Sequence, residues 1–281
     1  MSATLRSCVF TERLSSMTPD NSAFGQFLAA DEIQHQSVKT IKAWLDHCGF
    51  IVVHDIAFTR EAFARFFSRF GDVIRFISDP HAPGYETSDV TLLQGNPDDV
   101  VAGCGQLPLH ADGGTESFIV DHLFLYASEV SGMAQGGATC LTNHRLANQE
   151  LPEHLREILF GRRHYMRIIT PDAKHTWQTI PVFSGVGRSQ RMMIYFPFEA
   201  GQRSSWECSV EGLSPEECHE YYRALQAFYR QPRYYYRHQW KQGQLLICDN
   251  RVLLHEREPY GTTDQRRVLM RGITHETDRE G

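Results

Sequence analysis

Fourteen histidines in 281 residues invite a search for a metal site. His110 and Asp112 stand at i and i+2 in Gln106-Leu107-Pro108-Leu109-His110-Ala111-Asp112-Gly113-Gly114. On an extended strand end those side chains share one face, so an imidazole nitrogen and a carboxylate oxygen can approach one cation together. Gly113 and Gly114 let the chain turn sharply just afterwards. Taken alone, such a pair is usually a surface hydrogen-bonded His–Asp rather than a metal site. A second segment, Gly243-Gln244-Leu245-Leu246-Ile247-Cys248-Asp249-Asn250-Arg251-Val252-Leu253-Leu254-His255, runs from an apolar strand through a polar turn to His255 on the next apolar stretch. His255 fits either a third ligand or a buried histidine satisfied by a carbonyl. Two His and one carboxylate on one face form the triad of non-haem Fe(II) oxygenases, with positions left open for a co-substrate and O2. In the third segment, Arg267, Leu269 and Arg271 alternate with Val268 and Met270, so both guanidiniums share one face of a strand. Pointing inward they need anionic partners, which a dicarboxylate would supply; pointing outward they are solvated.

These residues need strands to hold them. Short apolar runs at 90–94, 118–126, 137–142, 164–169, 191–196, 233–237, 244–248 and 267–273 are punctuated by Gly, Pro, Asn and Asp, the pattern of a sandwich or barrel. Helices surround them. Ile33, Val38, Ile41, Trp44 and Leu45 follow a helical period from Ala30 to Cys48, with Gly49 as a stop. Phe50 to Val53 reads as a strand. Thr59 caps a helix whose Phe63, Phe66, Phe67 and Phe70 face a core, and Gly71 ends it. Asn143 and Pro152 are start signals for helix near 143–160, and Ser214-Pro215-Glu216-Glu217 opens another to about 230. Residues 1–30 lack periodicity and read as an extended arm. No repeat or linker divides the chain, so residues 1–281 read as one mainly β domain with peripheral helices.

Composition narrows the classes of partner. Lys and Arg number 28 against 34 Asp and Glu, a net charge of −6 that disfavours nucleic acid and anionic membranes. No apolar run approaches the roughly 20 residues of a spanning helix, and the first residues lack a signal-peptide pattern. Seven cysteines at 8, 48, 104, 140, 208, 218 and 248, without a CxxC pair, fit reduced thiols in a cytoplasm.

The order His110-x-Asp112, Gly136-Gly137-Ala138-Thr139, Trp240-x-x-Gly243-x-Leu245-Leu246-x-x-Asp249-Asn250-Arg251-x-x-x-His255, then Gln265-Arg266-Arg267-x-x-x-Arg271 resembles the taurine dioxygenase (TauD/TfdA) family of Fe(II)/2-oxoglutarate-dependent oxygenases. The resemblance spans roughly residues 45–275. It implies a double-stranded β-helix, a jelly-roll and cupin relative, holding one Fe(II) on His110, Asp112 and His255, with 2-oxoglutarate and O2 as co-substrates. Thr139 matches the residue that hydrogen-bonds the distal carboxylate of 2-oxoglutarate, and Arg267 its salt-bridge partner. Arg271 matches a position bordering co-substrate or primary substrate, and Gln106 one that faces the substrate pocket. The implied reaction hydroxylates or desaturates a small molecule and releases succinate and CO2. An intact Asp112 disfavours halogenation, for which the family's halogenases carry a small residue there. A narrower resemblance rests on Pro108-Leu109-His110-x-Asp112-Gly113, Tyr236-x-His238-x-Trp240 and Leu253-Leu254-His255-x-Arg257-Glu258. It points to oxygenases of isocyanide and amino-acid natural-product pathways, and so to a small amino-acid-derived or organic-acid substrate in secondary metabolism. Family members are often dimers or tetramers; no interface is legible in the sequence.

Other residues read as structural. His122, His144, His154, His164, His175, His219, His238 and His275 have no ligand spacing and read mostly as surface residues, with His122 and His175 as pocket candidates. Cys104 and Cys140 read as buried small hydrophobes. Tyr234-Tyr235-Tyr236 with Trp240 reads as a strand on the core, and Gly185-Val186-Gly187 as a turn. The pocket loops fall at 72–106 and 170–206. Two other classes remain open: a cupin-like binding or regulatory protein without catalysis, and hydrolysis with a different divalent metal.

Overall fold

The computed structural model describes residues 24–75, 89–95, 99–100, 102–113, 119–133, 135–170, 173–261 and 265–276. The strands are β1 (Gln26–Ala29), β2 (Phe50–His54), β3 (Asp72–Val73), β4 (Thr91–Leu93), β5 (Leu107–His110), β6 (His122–Ser131), β7 (Thr139–Asn143), β8 (His164–Ile168), β9 (Gln178–Ile180), β10 (Phe183–Ser184), β11 (Arg191–Met192), β12 (Trp206–Val210), β13 (Tyr235–His238), β14 (Leu245–Asp249), β15 (Leu253–Arg257) and β16 (Arg266–His275). The helices are α1 (Ala30–Gln34), α2 (Val38–Cys48), α3 (Arg60–Phe67), α4 (His144–Gln149), α5 (Glu153–Gly161) and α6 (Pro215–Tyr229).

A seven-stranded sheet runs β1-β2-β14-β6-β16-β3, with β4 also paired to β16. A four-stranded sheet runs β13-β7-β15-β5. Alternation along β14 shows how they pack. Leu246 and Cys248 join Leu123, Leu125 and Ile273 of the large sheet and Leu141 and Leu253 of the small one in a core between the sheets. Leu245 and Ile247 face the other way, onto Ile41 and Leu45 of α2 and Phe63, Phe66 and Phe67 of α3. The small sheet turns its outer face to α4, α5 and α6 through Leu109 and Leu254. The result is helix, sheet, sheet, helix, with the period-2 pattern of each strand serving two cores. Each fully buried Leu, Ile or Phe contributes about 1.5–3 kcal/mol through removal from water.

The signals at helix ends act as expected. Thr59, Asn143 and Ser214 each accept a bond from a backbone N–H of the first turn, and Gly49 ends α2 at φ 80°. The helix expected over Ala30–Cys48 is two helices. Ser37 caps the second by accepting from the backbone N–H of Thr40, which interrupts a chain whose apolar period runs on unbroken. Helix near 143–160 is likewise two, with Pro152 at the start of the second. Residues 1–23 of the expected arm lie outside the described residues. Its end forms β1, paired in parallel with β2. The 170–206 loop carries β9, β10 and β11, and β12 begins at its end. Among the described residues no helix is long and apolar enough to cross a membrane.

Candidate active site

The two sheets bring His110, Asp112, His255, Thr139, Arg267 and Arg271 to one cavity. His110 ends β5, and His255 lies directly opposite it on β15, their rings 4.2 Å apart between centroids. Asp112 follows two residues after His110, and Gly113 then turns the chain at φ 88°. One oxygen of Asp112, Oδ1, lies 3.9 Å from Nε2 of His110 and 3.9 Å from Nε2 of His255. One donor atom from each of the three lies within 4.8 Å of the others, the one such cluster among the described residues.

The protonation states suit a cation. His110 Nδ1 lies 2.7 Å from the carbonyl of Pro108, which can only accept, so Nδ1 carries the proton and Nε2 keeps its lone pair. Burial pushes the His110 pKa down, and burial with repulsion from His110 pushes His255 down to about 3. Both rings are therefore neutral at neutral pH. Burial alone would raise the pKa of Asp112, but Arg271 and the two imidazoles outweigh it and hold the carboxyl well below the usual range. Two neutral imidazoles and one carboxylate, converging from two strands and a turn, fit a divalent transition metal.

Arg267 and Arg271 enter from β16 of the opposite sheet, and both line the cavity. Arg267 is 3% exposed. Its Nη2 donates to Thr139 Oγ1 at 3.2 Å, while Nε and Nη1 have no hydrogen-bond partner among the described residues. Its guanidinium carbon lies 5.4 Å from the Tyr260 ring and 5.9 Å from the Trp240 ring. Burial pushes its pKa down. A buried cation with two open donors can take an anionic acceptor. Thr139 is delivered by the turn before it. Gly136 and Gly137 take φ 74° and 63°, and a Cβ on Gly136 would stand 2.7 Å from the carbonyl oxygen of Pro259. Thr139 Oγ1 also accepts from Trp240 Nε1 at 2.9 Å. With both lone pairs taken, its proton points to any further acceptor in the cavity.

The other residues singled out in the sequence are placed as follows. Arg271 Nη2 donates to Asp112 Oδ2 at 2.7 Å, so it steadies the triad's carboxylate as well as bordering the cavity. Gln106 accepts from Gln202 Nε2 at 3.0 Å and is not among the residues lining this cavity. Of the two pocket-candidate histidines, His175 is exposed and His122 is buried beside Glu276, 3.6 Å away. His144, His164 and His238 are buried too, against the surface reading, each held by a carbonyl or a tyrosine hydroxyl. Cys140 is buried as expected, whereas Cys104 is half-buried on a loop. Sequence reasoning gave no site role to Arg257. It lies two residues after His255, on the same strand face, and lines the cavity. Its Nε and Nη2 donate to the carbonyls of Gly105 (2.9 Å) and Val100 (2.8 Å), tying the loop before β5 to the His255 strand. Tyr195 and Trp206 back the His110 ring at 5.9 and 5.7 Å.

The family described as "Taurine catabolism dioxygenase TauD, TfdA family" matches residues 16–274. An alpha-ketoglutarate-dependent 2,4-dichlorophenoxyacetate dioxygenase of Burkholderia sp. is 32% identical over 155 residues, covering 50% of this chain and 48% of that protein. The match thus spans about half the length of that relative. A tyrosine isonitrile desaturase of Erwinia amylovora is 26% identical over 211 residues, covering 71% of this chain and 68% of that protein. A solved structure of PvcB, described as an Fe, alpha-ketoglutarate dependent oxygenase from an isonitrile synthetic pathway, superposes with a TM-score of 0.65 at 20% identity. It covers 90% of this chain and 86% of PvcB. With its fold shared and its family pattern matched over nearly its whole length, the chain belongs to the TauD, TfdA family of dioxygenases.

Proposed function

We propose that this Fe(II)- and 2-oxoglutarate-dependent dioxygenase oxidises an unactivated C–H bond of a small amino-acid-derived or organic-acid substrate, by hydroxylation or desaturation, in secondary metabolism. The observation that carries the reading is one cavity holding the His110, Asp112, His255 cluster and a buried Arg267 with two open donors. His110, Asp112 and His255 would hold Fe(II). Arg267 and Thr139 would hold the distal carboxylate of 2-oxoglutarate, the guanidinium supplying charge and the hydroxyl its proton. With metal, 2-oxoglutarate and O2 bound, the site couples oxidative decarboxylation to succinate and CO2 with a two-electron oxidation of substrate. Arg271 keeps Asp112 ionised and oriented and borders the substrate. Leu107, Leu123 and Leu125 line the cavity and keep bulk water from the reacting centre.

An anionic substrate is favoured by charge. Arg257, Arg267 and Arg271 line the cavity against two carboxylates, Asp112 and Glu256, and Glu256 is already paired with Arg230. The relatives named for phenoxyacetate and tyrosine isonitrile point the same way. We read Gln106 as reaching substrate only if it parts from Gln202. We further read residues 1–281 as one domain, the two facing sheets as a double-stranded β-helix of jelly-roll type, and the protein as cytoplasmic. A library of small carboxylates and amino-acid derivatives, screened by succinate release from the iron-loaded protein, tests the reading. Stimulated release that His255→Ala abolishes supports it. A protein that binds metal and 2-oxoglutarate yet releases no succinate with any carboxylate is a binding protein, and the catalytic reading fails.

A further inference from the structure

The Asp249-Asn250-Arg251 turn between β14 and β15 carries three buried polar side chains. The outer two lock together: Arg251 Nε and Nη2 donate to the two oxygens of Asp249, each at 2.8 Å. Asn250 reaches across to a segment 138 residues away. Its Oδ1 accepts from the backbone N–H of Asp112 at 3.2 Å, and its Nδ2 donates to the Asp112 carbonyl at 3.0 Å and the Val120 carbonyl at 2.9 Å. These partners fix the amide's orientation, because the reverse would set its oxygen against two carbonyls.

The placement matters because β5 ends at His110, where its pairing with β15 stops. Asp112 therefore lies beyond the ladder, and one side-chain amide satisfies both its backbone N–H and its carbonyl. Arg271 holds the carboxylate end of the same residue. The strand that follows Asn250 delivers His255 five residues later, so one turn-and-strand unit supplies a ligand and pins the backbone of another.

We propose that Asn250 is a positioning residue that sets the Asp112 backbone for metal binding; this rests on the triad being the metal site. Asn250→Asp keeps the size and the acceptor but turns the two donor bonds into oxygen–oxygen contacts. The test uses the full-length apo-protein with Mn(II) alone, free Mn(II) being counted by electron paramagnetic resonance, alongside thermal unfolding. Leu159→Ala, a cavity in the buried α5 face, is the control for a fold weakened away from the site. Expected is a dissociation constant raised roughly 10–100-fold in Asn250→Asp, the usual effect of losing a partner of a ligand. Leu159→Ala should unfold earlier yet bind Mn(II) as the wild type does. Equal affinity in Asn250→Asp and wild type overturns the proposal, as does an equal loss in Leu159→Ala. If Asn250→Asp does not fold, Asn250→Ser carries the same comparison. A wild type that binds no Mn(II) defeats the metal reading itself, a different outcome from a wild type that binds and a variant that matches it.

Discussion

Replacing Arg267 with Met removes a buried charge while keeping most of the volume between Trp240 and Tyr260. The guanidinium spends Nη2 on Thr139 and leaves Nε and Nη1 open in the cavity. A carboxylate bound there gains one or two charge-assisted hydrogen bonds, worth about 1.5–3 kcal/mol each. Truncating one partner of such a buried pair costs about 2–5 kcal/mol. At 1.4 kcal/mol per tenfold, the 2-oxoglutarate dissociation constant should rise roughly 30-fold to several-thousand-fold. Arg267→Lys keeps the charge but presents a point donor instead of a planar fork, so its loss should fall between wild type and Arg267→Met. Titration calorimetry of 2-oxoglutarate into Mn(II)-loaded protein measures this without turnover. Mn(II) affinity should stay unchanged, since Arg267 touches no triad residue. A dissociation constant within about threefold of wild type, less than 1 kcal/mol, would refute the assignment of Arg267 and the reasoning from its open donors.

Thr139→Val leaves the buried Trp240 Nε1 without its acceptor and costs stability of about 1–3 kcal/mol. It should also weaken 2-oxoglutarate about tenfold or more in the same calorimetric titration. Gly272→Ala would set a Cβ 2.5 Å from the Phe67 ring. Overpacking of that kind costs about 1–3 kcal/mol and should lower the urea midpoint by the corresponding amount. His144 is buried and its pKa pushed down to about 3 by burial, against an unfolded value near 6.5. The unfolded chain alone takes up the proton between those values, so stability is full above about pH 6.5 and falls as pH drops toward 3. His144→Gln should therefore reduce the proton uptake on unfolding near pH 5 by about one, read from the pH slope of the unfolding free energy; an unchanged slope would contradict it.

Much of the fold was legible because its strands serve two cores at once. Leu245 to Cys248 alternate between the helical layer and the inter-sheet core, and the same period puts Arg267 and Arg271 on one face despite an irregular register after Val268. That period extends from His255 to Arg257, so Arg257 was within reach of the same argument. Less legible were features set by distant partners. Gln106 is held by Gln202, 96 residues on, and His144 by the carbonyl of Arg251, 107 residues on. No local pattern announces such bonds, so buried histidines read as surface ones. The break at Ser37 was hidden because an apolar period continues across it, while the cap that ends one helix and starts another is a single hydroxyl. β9 and β10 are three and two residues long, too short for alternation to be seen, whereas β11 opens the apolar run at 191–196.

The central claim is that His110, Asp112 and His255 bind Fe(II) beside a 2-oxoglutarate held by Arg267. Anaerobic addition of Fe(II) and then 2-oxoglutarate to the full chain, followed by visible absorption, tests it most directly. A weak metal-to-ligand band is expected that needs both additions and disappears in His255→Ala. A wild type without the band, or a band that survives in His255→Ala, would contradict it.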